Sequence, residues 1–169
     1  MIEPVSPSGP HKFLADVMLG SLARWLRILG YDTYYDNRVD DEDIIARCRA
    51  DDRIALTRDR RLTQRKALEK CLFITSDNLG GQLGEVLAFT GESIDERLIL
   101  TRCLECNSNL QPATKIAVRH LVPSYVYRTQ PRFQRCPECA RVYWAGTHRM
   151  RMMERIERLL NSDSAAPAT

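Results

Sequence analysis

The chain has 169 residues, of which 44% are hydrophobic, and its formal net charge is +3. This length suits one ordinary domain, or one small domain with an appendage. No apolar run approaches the roughly 20 residues that a membrane span requires, and the proline-rich start lacks the apolar stretch of a signal peptide. We therefore expect a cytoplasmic protein with no membrane partner, a disordered leader at 1–11 and a disordered tail at 161–169.

Short strands and helices alternate through residues 12–100. Strands are predicted at 12–16, 33–35, 54–57 and 71–75. Helices are predicted at 19–29, from 40 onwards, at 61–70 and at 79–87, and a further short strand at 98–100. This alternation predicts an α/β domain with a parallel sheet and helices on both of its faces.

Acidic residues follow the predicted strands. Asp16 and Asp59 come at the ends of strands one and three, Asp41 lies in the acidic run that opens the second helix, and Asp77 follows strand four. Ligands gather at the carboxyl edge of a parallel sheet, so we expect Asp16, Asp41 and Asp59 to meet there, with Asp77 as a possible fourth acid. Other interpretations stay open: Asp59 as a helix N-cap, and Asp41 as helix-terminal charge. Spacing alone also leaves Asp40, Glu42 and Asp43 as competitors for the role of Asp41.

Several carboxylates in one place predict a divalent-metal site. Carboxylate oxygens suit Mg²⁺ or Mn²⁺, and such an ion can activate water and polarise a phosphodiester. Cationic side chains beside Asp59 would position the substrate backbone: Arg58, Arg60 and Arg61, with Arg65 and Lys66 further along.

Other phosphate-handling classes fit the sequence poorly. It contains neither Gly-x-Gly-x-x-Gly after the first strand nor Gly-x-x-x-x-Gly-Lys. An aspartyl-phosphate phosphatase would have a second Asp two residues after the first, where Met18 stands. The three histidines, His11, His120 and His148, lie in the leader and the second half of the chain, where structural or RNA-facing roles suit them better than catalysis.

Four of the six cysteines form two Cys-x-x-Cys units: Cys103, Cys106, Cys136 and Cys139. This pattern predicts one structural zinc in a ribbon at residues 101–160, since four protein ligands leave no open coordination position. A disulfide pair or a redox dithiol are the rival interpretations. Cys48 and Cys71 stand alone in apolar patterns and are expected to be buried small hydrophobes.

The two parts of the chain differ in charge. Residues 12–100 hold 14 Lys and Arg against 16 Asp and Glu, whereas residues 101–160 hold 11 against 4. A basic second part favours a nucleic-acid partner, although a solvated basic surface would have the same composition. In this part strands are predicted around 125–127, 133–135 and 141–144, before an amphipathic helix from Met150 to Leu160.

Motifs spread over most of the chain resemble one family, the PIN-like RNase domain with a zinc ribbon that is named for the C-terminal region of the Mut-seven exonuclease. The matching segments are residues 13–16, 19–32, 41–43, 56–62, 102–107, 136–139 and 143–148. The resemblance implies a PIN-like fold at 12–100, a divalent-metal site and RNA cleavage. It puts Asp16, Asp41 and Asp59, but not clearly Asp77, on the family's acidic positions.

The sequence thus predicts a metal-dependent endoribonuclease whose zinc ribbon helps to bind RNA. A non-catalytic RNA- or protein-binding module with the same fold is the alternative. A DNA-directed nuclease is a third possibility.

Overall fold

The computed structural model describes residues 11–144 and 148–161. Its first sheet contains four parallel strands, β1 (Lys12–Ala15), β2 (Asp32–Tyr34), β3 (Ile54–Thr57) and β4 (Cys71–Phe73). The helices of this half are α1 (Gly20–Ile28), α2 (Asp41–Asp51), α3 (Arg60–Thr63) and α4 (Leu79–Thr90). The predicted leader before His11 and the predicted tail from residue 162 lie outside the described residues.

Side chains of β1 alternate between two hydrophobic cores because successive residues of a strand face opposite ways. Phe13 and Ala15 belong to the larger core, which α1 and α4 cover. Leu14 belongs to the smaller core, which contains Ile44 and Ile45 of α2. Helices therefore pack on both faces of the sheet, as the sequence predicts.

The strand order β2-β1-β3-β4 creates a switch point between β1 and β3. The chain leaves β1 towards β2 on one side, and then crosses to β3 on the other side. Open parallel sheets bind ligands in the crevice at the carboxyl ends of such strands. The ends of β1 and β3 are joined here, since the amide of Asp16 donates to the carbonyl of Leu56 at 3.0 Å.

A second, antiparallel sheet follows, with β5 (Gln111–Ala113), β6 (Phe133–Arg135) and β7 (Val142–Trp144). Between β5 and β6 lies α5 (Ser124–Thr129), and after β7 comes α6 (His148–Asn161). Helix α6 packs on the first half of the chain: Ile156 is 1% exposed and shares the larger core with Trp25. No helix among the described residues is long and apolar enough to cross a membrane.

Three predicted elements differ from the structure. The helix expected at 61–70 ends at Thr63, since the buried Leu62 and Leu68 are six residues apart and do not share a helical face. The strand expected around 125–127 is helix α5, which begins after Pro123 and leaves Tyr125 exposed. The strand expected at 98–100 overlaps a 3₁₀ turn, Glu96–Leu98.

Candidate active site and metal centre

Asp16 lies directly after β1, and the residue is 6% exposed. Its Oδ1 accepts from the amide of Met18 at 2.9 Å, while its Oδ2 accepts from the amide of Arg58 at 3.0 Å and from the hydroxyl of Thr57. Three donors therefore hold the side chain in one orientation at the switch point.

Thr57, the last residue of β3, connects Asp16 with Asp59. Its hydroxyl donates to Asp16 and accepts from the amide of Asp59 at 2.9 Å. Asp59 is exposed, and its Oδ1 accepts from the amide of Arg61 at 2.7 Å. The N-cap interpretation of Asp59 is thus confirmed, and it leaves the second carboxylate oxygen available for another contact.

Asp41 is the first residue of α2, and its exposed side chain has no hydrogen bond or ion pair with any described residue. Asp40 caps this helix, since its carboxylate accepts from the amide of Asp43 at 2.9 Å. Helix α2 begins beyond the carboxyl end of β2, so Asp41 lies on the same edge of the sheet as Asp16.

Asp77 lies in the loop after β4, where Arg58 donates to its carboxylate. Following the strand order, the four acids occur along the edge as Asp41, Asp16, Asp59 and Asp77. We call this row the carboxylate edge. Among the described residues, no three of these acids have carboxylate oxygens that all lie within 4.8 Å of one another. The structure thus places Asp16, Asp41 and Asp59 along one edge of the sheet, but it does not gather them as closely as the sequence led us to expect.

The three predicted substrate-binding arginines have different surroundings. Arg58 is held by Asp77, and the guanidinium of Arg60 lies 4.9 Å from the centre of the Phe73 ring. The exposed Arg61 makes no side-chain hydrogen bond or ion pair with a described residue. Arg65 pairs with Glu42, which connects the segment after α3 to the start of α2.

Two residues at this edge were not predicted from the sequence. Thr57 binds the carboxylate of Asp16 and the backbone amide of Asp59, and the only sequence signal for it was a hydroxyl side chain at the end of a buried strand. Glu85 of α4 accepts from the amides of Thr75 and Ser76 at 2.9 and 2.7 Å. Burial opposes ionisation of Glu85, but these hydrogen bonds lower its pKa below the usual range and fix the loop that carries Asp77.

The four predicted zinc ligands come together in the second half of the chain. The sulfurs of Cys103, Cys106, Cys136 and Cys139 all lie within 4.8 Å of one another. Four sulfurs at about 2.3 Å from one zinc would be about 3.8 Å apart, and Cys103 Sγ and Cys139 Sγ are 3.6 Å apart. Among the described residues this cysteine cluster is the one group of three or more Cys, His, Asp or Glu side chains so close together.

The two Cys-x-x-Cys turns have the same backbone design. The amide of Asn107 donates to the carbonyl of Cys103, and the amide of Ala140 donates to the carbonyl of Cys136. Asn107 and Ala140 both have left-handed backbones, with φ of 66° and 61°. Amides of Cys106 and Cys139 point at the sulfurs of Cys103 and Cys136, at 3.4 and 3.5 Å.

Hydrogen bonds also favour the thiolate form of Cys103. Burial opposes its ionisation, but donors that include the Cys106 amide and the Tyr143 hydroxyl lower its pKa to about 6. Thiolates are the form of cysteine that binds zinc. The donor set and its geometry therefore fit a structural zinc with four sulfur ligands.

The turn formed by residues 103–106 is attached to the four-stranded sheet at its amino edge, opposite the carboxylate edge. The buried Arg27 donates to the carbonyls of Leu104 and Glu105, each at 2.9 Å. The side chain of Asn107 accepts from the amide of Thr33 at 2.9 Å and donates to Asp32 at 2.7 Å. Asp32 and Thr33 are the first residues of β2, so the cysteine cluster and the carboxylate edge lie at opposite ends of the strands.

Gly30 makes this attachment possible. Its φ of 92° is strained for any residue with a side chain, and a Cβ atom there would collide with the backbone of Leu98. The connecting segment is held against the end of α1, where the amide of Leu100 donates to the carbonyl of Ile28 at 2.8 Å.

Together these features define an α/β domain with a four-stranded parallel sheet flanked by helices, and a cysteine cluster suited to a zinc ribbon. Comparison with protein families matches residues 11–156 to the Mut7-C RNAse domain. The chain therefore belongs to the Mut7-C RNAse domain family, which indicates a nuclease-like, RNA-related role. No curated protein and no solved structure matches the chain.

Proposed function

We propose that this protein is a divalent-metal-dependent endoribonuclease whose zinc ribbon helps to hold the RNA. The observation that carries the proposal is the link between Asp16 and Asp59 at the switch point, where the hydroxyl of Thr57 donates to the carboxylate of Asp16 and accepts from the backbone amide of Asp59. Asp16 is only 6% exposed, and three donors fix its carboxylate in one orientation at this point. The family assignment supports RNA as the substrate.

The remaining lone pairs of the aspartates suit a hard cation. A carboxylate offers about four lone-pair positions, and Asp16 uses three of them within the protein. Asp59 retains its Oδ2, and Asp41 retains both of its oxygens within the described structure. These three side chains would hold Mg²⁺ or Mn²⁺, which supplies an activated water and stabilises the leaving oxygen when bound.

The arginines beside the aspartates would position the RNA backbone. Arg61 is exposed and ready to contact a phosphate, whereas Arg58 would exchange the carboxylate of Asp77 for one. An exposed ion pair such as Arg58–Asp77 contributes little stability, so its replacement by a phosphate contact costs little free energy. Asp77 would thereby hold Arg58 in place until the RNA replaces it, and it is also the candidate fourth acid.

The cysteine cluster would hold zinc in a structural role. All four coordination positions are filled by Cys103, Cys106, Cys136 and Cys139, so none is left for substrate. Such thiolates require a reducing compartment, and we propose the cytoplasm. The basic second half would supply non-specific attraction for RNA, which weakens with salt.

The test is a cleavage assay with matched variants. Purified protein is incubated with single-stranded and structured RNA in Mn²⁺, Mg²⁺ or EDTA. Asp59→Asn is the site variant, because asparagine retains the helix cap. Asp52→Asn is the control: it removes the same charge at the amino edge, where asparagine tolerates the left-handed φ of 54°.

Metal-dependent cleavage that is lost in Asp59→Asn and retained in Asp52→Asn is the expected result. Cleavage that survives in Asp59→Asn would contradict the site. RNA that is bound but never cut would favour the non-catalytic binding module instead. In that case the three hydrogen bonds that Asp16 accepts would serve the fold alone. Competition with DNA of the same sequence tests the preference for RNA.

A further inference from the structure

A cleft of about 550 Å³ lies between the ribbon sheet and the segment that leads into it. Its walls come from residues 97, 99–101, 112–115, 131–134 and 143–144. The proposed catalytic chemistry does not use this cleft. It lies beside the end of α1, since Leu98 and Leu100 contact Gly30 and Ile28 there. The cleft is therefore at the amino edge of the large sheet, away from the aspartates.

Aromatic rings form one side of the cleft. Strand register puts Ala113, Phe133 and Trp144 abreast on the same face of the ribbon sheet. Phe133 is 3% exposed and serves as the base of this surface, whereas Trp144 is half-buried and presents part of its indole. Ala113, on the other side of Phe133 from the indole, has only a small side chain on this face and leaves it open to a flat ligand.

Cations surround these rings, and no lining residue of the cleft is acidic. Arg132 is exposed and makes no ion pair within the described residues. The ammonium of Lys115 lies 5.1 Å from the centre of the Tyr127 ring, and Arg97 is paired with Asp95 outside the lining. The cleft thus combines an apolar aromatic wall with positive charge at its rim.

We propose that this cleft binds a nucleotide of single-stranded RNA, with the base stacked on Trp144 and the phosphates beside Arg132 and Lys115. An aromatic surface with a cationic rim is how proteins hold single strands without reading their sequence. A duplex offers no unstacked base, so it should not enter the cleft. This inference rests on RNA being the substrate, and it assigns the ribbon's share of binding to particular residues.

The position of the cleft predicts a dependence on RNA length. A strand of four residues spans about 13 Å, so the cleft and the carboxylate edge are separated by at least that distance. One RNA molecule must extend along the domain to occupy both. Oligonucleotides of about twelve residues should therefore bind more tightly than dinucleotides, which are too short to reach both sites.

The first measurement is fluorescence anisotropy of a labelled twelve-residue oligouridine with the zinc-loaded full chain. Trp144→Ala should weaken binding about tenfold or more, because one stacked base is lost. Tyr125→Ala is the control: it removes an aromatic ring that is 69% exposed on α5, outside the cleft, and it should leave the affinity within about twofold. Arg132→Ala should lower the salt slope by about one.

A second measurement reads the indole directly. The chain has two tryptophans, of which Trp25 is 7% exposed in the core and Trp144 lies in the cleft. Oligouridine should quench part of the tryptophan emission, and Trp144→Phe should abolish that quenching while it retains most of the affinity. This variant retains an aromatic ring, so it also remains informative if Trp144→Ala does not fold.

Unchanged affinity in Trp144→Ala with normal zinc content, or emission that RNA does not alter, would overturn the proposal. Emission that responds to an acidic peptide but not to RNA would overturn it as well, in favour of a protein partner. These experiments can contradict the proposal for the cleft and the proposal for catalysis independently of each other. Quenching without cleavage in any metal would support the cleft alone, whereas cleavage with no effect of Trp144→Ala would support the aspartates alone.

Discussion

The cysteine cluster and the carboxylate edge are both groups of four potential metal ligands, but they are assembled differently. Each half of the cysteine cluster is one short turn with its own backbone hydrogen bonds, and two such turns bring four sulfurs within 4.8 Å. The carboxylate edge takes one acid from the end of each of four strands or the helix that follows. Its spacing is therefore set by the sheet and not by any local turn.

This difference explains the roles that we assign to the two sites. A compact set of four soft ligands is complete once one zinc is bound, and it suits a structural role. A row of separated carboxylates retains free oxygens for metal ions, water and a phosphate, as a catalytic site requires. Removal of zinc should consequently unfold the region around the cysteine cluster. Removal of Mg²⁺ or Mn²⁺ from the carboxylate edge should abolish cleavage without unfolding the domain.

The largest effect should come from breaking the cysteine cluster. Cys136→Ser removes one of four zinc ligands, and structural zinc contributes on the order of 10 kcal/mol in small modules. We expect zinc to fall from one to near zero per chain, with loss of amide protection in residues 133–144. Elemental analysis and hydrogen exchange measure this. Cys71→Ala is the control, since burial raises the pKa of this thiol to about 11 and it lies outside the cluster; zinc loss there would contradict the assignment.

At the carboxylate edge, the sharpest comparison is between two acids of one helix turn. Asp41→Asn should lower cleavage on the order of 100-fold, as expected when a group that stabilises the transition state is lost. Asp43→Asn removes the same charge from the same first turn and should leave cleavage within about twofold. Both should reduce stability by about 0.5 kcal/mol through the helix dipole. Single-turnover rates and thermal unfolding measure the two effects, and equal rates would exclude Asp41.

The joint between the two regions can be weakened without touching either metal site. Asn107→Gly suits the left-handed backbone but removes the side chain that pairs with Thr33 and Asp32. We expect a loss of about 1–3 kcal/mol in the free energy of unfolding, because the Thr33 amide is left buried and unpaired. Urea unfolding checks this, with the exposed Asn109→Gly for comparison. Equal stability of the two variants would show that the joint contributes nothing.

Thr57 tests whether the carboxylate edge needs orientation in addition to charge. Thr57→Val retains the shape of the side chain but removes the hydroxyl between Asp16 and Asp59. Cleavage should fall about tenfold, which corresponds to about 1.4 kcal/mol in the barrier. Thr57→Ser retains the hydroxyl and should recover most of the rate. The pH–rate profile of Thr57→Ser should resemble that of the unchanged protein, whereas that of Thr57→Val should differ. A valine variant with full activity would leave Thr57 without a positioning role.

The smallest effect should be a gain at the second cysteine turn. Ala140 has a φ of 61°, where an ordinary side chain is strained by roughly 1 kcal/mol. Ala140→Gly should relieve part of that strain and raise stability by about 0.5–1 kcal/mol, opposite in sign to Asn107→Gly. Urea unfolding at saturating zinc is the measurement. A loss of stability would contradict the expectation that the left-handed backbone of Ala140 is strained.

Local patterns were sufficient to predict the elements that depend on near neighbours. Alternating strands and helices indicated the α/β class, and Cys-x-x-Cys spacing indicated the cluster of four sulfurs. Asp40 and Asp59 were recognisable as helix caps because a cap acts within three residues. Predictions failed where local pattern and packing disagreed, as in the helix expected at 61–70 and the strand expected around 125–127.

What the sequence by itself determined is therefore the composition of each site: which residues carry carboxylates or thiols, and which turns present them. Only the tertiary structure decided how the sites are arranged. Strand order put β1 beside β3, which brought Asp16 to the hydroxyl of Thr57. Burial of Arg27 against the carbonyls of Leu104 and Glu105 attached the cysteine cluster to the far edge of the sheet. These contacts join residues 41 to 78 positions apart, and no local periodicity encodes such a pairing.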